Sequence, residues 1–332
     1  MNIKEVATKA RVSTATVSRT MNGNPLVSPK TADKVWRAIR ELGYYPNSHA
    51  RTLVSGRSRL LGLIISDIAN PFFPELVKGF EDTAIQRDYN VMVSNTGYDS
   101  TRMAIAVRRM IEHQVDGVAI MTSEIDRHLV DELSKRSVPM VFLDVGMVKK
   151  RVSNVCVDYA AGIRESIDHL HELGHRRIAF ISGPMDLKSA RVRRKAFQKF
   201  VEAKQLQQDS SLIVEGNHKI DGGQAAMNKL LALRRPPTAV LTSNDLSAIG
   251  ALRAIHAAGL QVPGDISLIG FDDIELSQYT DPPLTTVRLS RQELGRTAFE
   301  ALMNIIDGVS DSGAEFAVST HLIVRESTSP GR

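Results

Sequence analysis

Residues 2–22 read NIKEVATKARVSTATVSRTMN. Ile3, Val6, Ala7 and Ala10 recur at helical spacing behind Asn2, a residue suited to an N-cap. Arg11 and Val12 make a turn, and Ser13 is placed to cap a second helix from Thr14 to about Asn22. On that helix Val17 and Met21, four apart, face inward, which leaves Thr14, Ala15, Ser18 and Arg19 outward near its start. Two short helices about a tight turn predict a helix-turn-helix, whose second helix enters the major groove of double-stranded DNA. There an arginine bonds guanine O6 and N7 bidentately, while hydroxyls and helix-start amides suit phosphates.

Charge points the same way. Residues 1–60 hold eleven Lys and Arg against three Asp and Glu, a net of +8, whereas the whole chain is +5, so the remainder sums to −3. A compact basic head on a near-neutral body fits phosphate binding, and its apolar periodicity separates it from a solvated basic tail. Ser28 and Pro29 open a third helix with Val35, Trp36, Ile39 and Leu42 as its buried stripe and Gly43 at its end. In that stripe Trp36 reads as core rather than as a DNA-stacking side chain. Residues 46–56 are too short and polar for a stable isolated helix and read as a linker.

After Gly56 strands and helices alternate. Candidate strands are 60–66, 90–95, 117–122, 140–144, 178–182, 239–242 and 267–271, with late strands at 286–289 and 316–324. They are rich in Val, Ile and Leu without clean alternation, as parallel strands covered on both faces are. Amphipathic helices lie between them, for example 75–87, 164–173, 225–233 and 246–258. About ten such strands predict two doubly wound parallel-sheet lobes, with the late strands returning the chain between them. The strand ends are repeatedly polar: Ser66, Asp67, Ser94, Asn95, Thr122, Asp144, Ser182, Asn244, Asp245, Asp272 and Asp273. Ligands of open α/β sheets bind at such ends.

The stretch Ile3 to Ser58 resembles the DNA-binding head of the LacI/GalR (lactose-repressor) family. The matching pieces are IKEVA, VSTATVSR, Val27-Ser28 before the third helix, ELGYYPN and the Ala50-Arg51-Thr52-Leu53 run. The resemblance continues through NPFF (70–73), VDGVAI, ELGHRRIAFISGP, Ser189-Ala190-Arg191, SNDLSAIGAL, VPGDISLIGFDD and DPPLTTV, which are similar to the family's effector core, itself like periplasmic sugar-binding proteins. It implies an all-α helix-turn-helix head (1–45), a hinge (46–58) and an effector-binding and dimerisation core (59–332). The first lobe would span about 59–158 and 288–318, the second about 159–287 and 319–330. It implies that Thr14, Ala15 and Arg19 face base edges, within a DNA-binding set that also holds Thr16, Ser18 and Asn22. Ala50 to Val54 would fold as a hinge helix when two subunits meet on DNA, with Leu53 wedged into the minor groove. Asn70, Phe72, Phe73 and Asp144 of the first lobe, and Arg193, His218, Asn244 and Asp272 of the second, would hold the effector. Aromatic faces pack on sugar C–H groups, and Asp, Asn and Arg pair with neighbouring hydroxyls.

The chain departs from the family pattern at several places. Arg11 occupies a turn position where glycine or asparagine is common, and His218 stands where an aromatic ring is usual. Leu289 replaces a glutamine found in some sugar binders, and Arg194-Lys195-Ala196 stands where Leu, a variable residue and Gly are usual. A purine would favour a stronger aromatic sandwich, so a sugar-like effector is expected.

An enzyme is not expected. No G-x-G-x-x-G follows a strand and no Walker-type glycine-lysine loop is present. His171 and His175 read as a surface helix end, not metal ligands, and no cofactor is expected. Asp272 and Asp273 are adjacent, so their side chains point apart. A single cysteine, Cys156, forms no internal disulfide, and neither a signal peptide nor an apolar run of eighteen is seen, so a cytoplasmic protein without a membrane span is expected. The reading is a repressor binding a palindromic operator as a homodimer. No long heptad tail follows Glu326, so a coiled-coil tetramer is not expected.

Overall fold

The structure is a computed structural model that describes residues 2–21, 24–44, 56–122, 126–207 and 209–331. Contacts divide the chain into two compact units, Met1–Arg59 and Leu60–Arg332. In the first, α1 (Ile3–Ala10) is capped by Asn2, whose side chain accepts from the Lys4 and Glu5 amides. Arg11 ends it with φ 54, in the left-handed region, which lets the chain turn at once into α2 (Thr14–Met21). Ser13 caps α2 through its Oγ, 3.1 Å from the Thr16 amide. The third helix, α3 (Pro29–Leu42), starts at the Ser28 cap and ends at Gly43, φ 57. Val6, Ala7, Ala10, Val17, Val35 and Ala38 make the small core. Trp36 is 41% exposed, contrary to the expected stripe; Ala38 is buried instead, because the inward face runs through 35, 38, 39 and 42.

The second unit holds two six-stranded sheets. The first comprises β1 (Leu60–Ile65), β2 (Asn90–Asn95), β3 (Gly117–Met121), β4 (Met140–Leu143), β5 (Val152–Val157) and β11 (Glu315–Val318), in the order β11-β5-β4-β3-β1-β2. It is parallel throughout. The second comprises β6 (Ile178–Ser182), β7 (Ile213–Glu215), β8 (Ala239–Thr242), β9 (Ser267–Asp272), β10 (Thr285–Leu289) and β12 (Thr320–Ile323), in the order β12-β10-β9-β8-β6-β7. There β12 alone runs antiparallel, against β10. Helices α4 (Phe72–Gln86), α5 (Ser100–Glu112), α6 (Arg127–Lys135) and α11 (Arg291–Ile306) belong to the first lobe. Helices α7 (Tyr159–Glu172), α8 (Lys188–Ala203), α9 (Ile220–Leu231) and α10 (Asp245–Ala257) belong to the second. β3 is buried along its whole length, as a parallel strand under helices on both faces must be.

Three crossovers join the lobes, at Asp158, Ser290 and Ser319. They are tied together: the Asp158 amide donates to the Val318 carbonyl at 2.9 Å, and Thr320 Oγ1 donates to the Asp158 carbonyl at 2.6 Å. The segment 316–324, expected as one strand, is therefore two strands of different sheets broken at Ser319. β5 and β7 were not among the expected strands: β5 begins in a polar turn sequence and β7 has three residues, too few to show a period. Within the first lobe α4 and α11 meet backbone to backbone. A Cβ on Gly79 would lie 2.5 Å from the Gln292 carbonyl oxygen, and one on Gly295 would lie 2.3 Å from that of Leu76. Phe80 and Phe299 fill the adjoining space edge to face at 5.6 Å.

Candidate functional site

In the head, Thr14, Ala15 and Arg19 are exposed on one face of α2, and Ser18 is half-buried beside them. Thr16 is half-buried at the start of the helix: its amide and Oγ1 meet Ser13 Oγ, at 3.1 and 2.9 Å, so its side chain completes the helix cap. Thr20 was not singled out from the sequence; it is buried and its Oγ1 donates to the Thr16 carbonyl. Asn22, Ala50 and Leu53 lie outside the described residues.

In the core a cleft between the lobes, about 600 Å³ of empty space partly open to solvent, gathers Asn70, Phe72, Phe73, Asp144, Arg193, His218, Asn244 and Asp272. The first lobe's wall begins where β1 ends. Asn70 Oδ1 accepts from the Phe72 amide at 3.1 Å and so starts α4, whose first residues Phe72 and Phe73 sit edge to face at 5.1 Å. Both rings also belong to the main apolar core, so packing and lining are one placement. Asp144 leaves β4 with φ 57. Its carboxylate accepts from the Val157 amide at 2.9 Å and from the Tyr159 hydroxyl at 2.5 Å. Burial still raises its pKa above the usual carboxylate range, against these bonds.

The second lobe supplies the charged groups. Arg193 is 7% exposed, not part of a solvated basic helix face. Its guanidinium lies 4.4 Å from the Tyr159 ring centroid and 4.6 Å from that of Phe271, between two aromatic faces. Nη1 donates to the Ser243 carbonyl at 2.5 Å, and Nε has no partner. Asp272 ends β9 with φ 108, a backbone region disfavoured for L residues. Its Oδ1 is buried without a partner. Burial raises its pKa to about 6, opposed by the charges of Arg193 and Arg291. Asp273 points elsewhere, as adjacency requires, and is held by Arg288 and Arg325 at 2.6 Å each.

Asn244 caps α10 by accepting from the Ser247 amide at 3.0 Å, and its Nδ2 donates to the His218 carbonyl at 2.9 Å. His218 is held neutral: burial, then the Arg193 charge, lowers its pKa to about 3. Gly183, one residue past β6, makes room for the ring, since a Cβ there would lie 1.9 Å from His218 Nε2.

Tyr98, Tyr159, Leu187 and Ser189 also line the cleft and were not foreseen, whereas Ser66 and Thr122, two of the polar strand ends, are among its walls. Tyr159 carried one signal: a tyrosine buried directly after a crossover needs a hydroxyl partner, here Asp144. His175 corrects its surface reading. It is 3% exposed, bonded to Thr238 Oγ1 at 2.9 Å and the Ser329 carbonyl at 3.0 Å, and fastens the C-terminal segment. Leu289 is fully buried in the core, away from the cleft lining. Among the described residues no group of His, Cys, Asp and Glu is arranged for a metal, and no helix is long and apolar enough to cross a membrane.

Known proteins share this organisation. Residues 2–47 match the family described as bacterial regulatory proteins, lacI family, and residues 167–328 match a periplasmic binding protein-like domain. The HTH-type transcriptional repressor CytR of Escherichia coli K12 is 34% identical over 326 residues, covering 98% of this chain and 96% of CytR. This chain belongs to the lacI family. It is a DNA-binding transcriptional regulator of that family, with a helix-turn-helix head and a two-lobed effector core. Among solved structures, the lac repressor dimer bound to operator and the anti-inducer ONPF superposes with a TM-score of 0.87 at 32% identity over 99% of both chains. The transcriptional regulator CelR in complex with cellobiose superposes with a TM-score of 0.75 at 31% identity, over 98% of this chain and 99% of that one.

Proposed function

We propose that this lacI-family protein is a cytoplasmic repressor that binds a near-palindromic operator as a homodimer and is controlled by a sugar or sugar derivative in its interlobe cleft. The observation that carries the ligand reading is a pair of buried, unpartnered polar atoms in one cleft, Arg193 Nε and Asp272 Oδ1. A buried donor and a buried acceptor left open each cost stability, and a hydroxyl both accepts and donates. Phe72 and Phe73 supply apolar faces for ring C–H groups. Asn70 Oδ1, Asn244 and Asp144 already bond within the protein, so they shape the cleft, while Arg193 and Asp272 select what enters. Cellobiose in the CelR complex is a ligand of this chemistry.

On the DNA side, Arg19 reads base edges from the exposed face of α2, Thr14, Ala15 and Ser18 lie beside it, and Thr16 and Asn22 support the docking. Ala50 and Leu53 serve the hinge, which meets the minor groove at the dyad. The operator-bound lac repressor dimer supports this part. On this reading the protein acts by regulating transcription, not by catalysis. A ligand works as a switch by binding one lobe angle better than another, which sets the separation of the two hinges.

The test is a titration of the purified chain with a panel of mono- and disaccharides and nucleosides, read by calorimetry beside Arg193→Ala. A sugar should bind the unsubstituted chain and fail to bind Arg193→Ala, which should keep its affinity for DNA. A nucleoside preferred over every sugar, or an unchanged titration in Arg193→Ala, would overturn the ligand reading.

A further inference from the structure

Arg291 is the first residue of α11 and directly follows the crossover at Ser290. It is 9% exposed. Its Nε and Nη2 both donate to Glu75 Oε2, at 3.0 and 2.8 Å, and its Nη1 donates to the main-chain carbonyl of Asp272. Glu75 lies in the first turn of α4, beside the cleft residues Phe72 and Phe73, whereas Asp272 ends β9 in the other lobe. One guanidinium therefore bridges the two lobes.

Its two ends differ in kind. The base is tightly packed, because α11 and α4 meet backbone to backbone at Gly79 and Gly295. The tip grips a strained residue. Asp272 keeps φ 108 only because its surroundings over-determine it: Arg291 holds its carbonyl, and Arg288 and Arg325 hold the next carboxylate. The same residue's side chain lines the cleft, with its Oδ1 buried and without a partner. Carbonyl and carboxyl hang from one backbone unit, so turning one turns the other. An Arg–Glu pair whose carboxylate is a third exposed contributes little net stability, so its worth here lies in the geometry it fixes.

We propose that Arg291 is a cross-lobe positioning residue: rooted on the first lobe through Glu75, it orients the main chain of Asp272 and thereby ties the cleft-facing carboxyl to the angle between the lobes. The sugar-like nature of the cleft's ligand rests on the preceding section; the strut does not.

Lobe separation is the direct readout. Spin labels placed through Arg108→Cys on α5 and Arg253→Cys on α10, in a Cys156→Ser background, report it in the full-length protein diluted with unlabelled chain. Both label positions are exposed. One narrow separation is expected with Glu75 and Arg291 intact. Glu75→Gln and Arg291→Ala should each shift and broaden it, and the double variant should do no more than either alone. Arg291→Lys should also broaden it, since an ammonium lacks the planar fork. Glu75→Gln keeps the side-chain volume, so it stays informative if Arg291→Ala fails to fold. A lower melting temperature with an unchanged separation, or additive effects in the double variant, would overturn the proposal. Failure of every sugar to bind would refute the ligand reading and leave this distance unaffected.

Discussion

Asp272→Asn should make the ligand-free protein more stable while weakening its ligand. The carboxyl is raised from its ordinary 3.8 to about 6, chiefly by burial, with Arg193 and Arg291 opposing. At ~1.4 kcal/mol per pH unit, keeping it ionised costs the native state ~3 kcal/mol. The sign follows from the raised pKa. Below about pH 4 the group is protonated in both states and the cost is absent. As pH rises to about 6 the unfolded chain ionises first, stability falls, and above that the full cost remains. An amide has no such cost but brings an NH2 that lacks a partner beside Arg193, which offsets ~1–2 kcal/mol of the gain. The variant should therefore exceed the parent by ~1–2 kcal/mol at pH 7.5, with the difference shrinking as pH falls and reversing sign toward pH 4, where only the amide's unpartnered NH2 remains. The assay is urea unfolding of ligand-free protein across that range. Asp245 is raised in the same direction, by burial and then by the Asp272 charge, so the comparison of variant with parent matters, not either slope alone. A variant less stable than the parent at pH 7.5 would refute the reasoning, because Asp272 would then be a satisfied carboxylate.

Three other outcomes follow from the same geometry. Arg19→Ala should cost ~1–3 kcal/mol at one operator position and relax base preference there, and equal loss on every sequence would contradict its place at base edges. Arg11→Gly should stabilise the head by up to ~1 kcal/mol by relieving φ 54, read from the fluorescence of Trp36, the single tryptophan, in the full-length chain. Gly295→Ala should lower core stability by ~1–3 kcal/mol, because its Cβ meets backbone atoms of α4 that cannot move aside alone; an unchanged unfolding midpoint would contradict the close approach.

The sequence was most informative where chemistry repeats at short range. Asn2, Ser13, Ser28 and Gly43 announce helix ends because caps are local. The Val, Ile and Leu runs of the parallel strands announce burial on both faces. The cleft residues named from family resemblance do share one cavity. What the chain did not reveal depends on distant partners. Trp36 fits the helical stripe by spacing yet turns outward, because Ala38 takes the contact. His175 looked like a helix end until the C-terminal segment folded over it. Ser319 carries no mark of a strand break, since which sheet accepts each half is decided by β5 and β10. Arg291 and Glu75 are 216 positions apart, so nothing local pairs them.

In this protein the cleft controls a sequence-reading head. The direct measurement is selection of genomic DNA fragments by the purified full-length protein, with and without a mixture of sugars and nucleosides, followed by sequencing. A short palindrome whose recovery changes with the mixture, and whose response is lost in Arg193→Ala, is the predicted result. Fragments with no shared motif in either condition, or a palindrome indifferent to every ligand in the mixture, would contradict it.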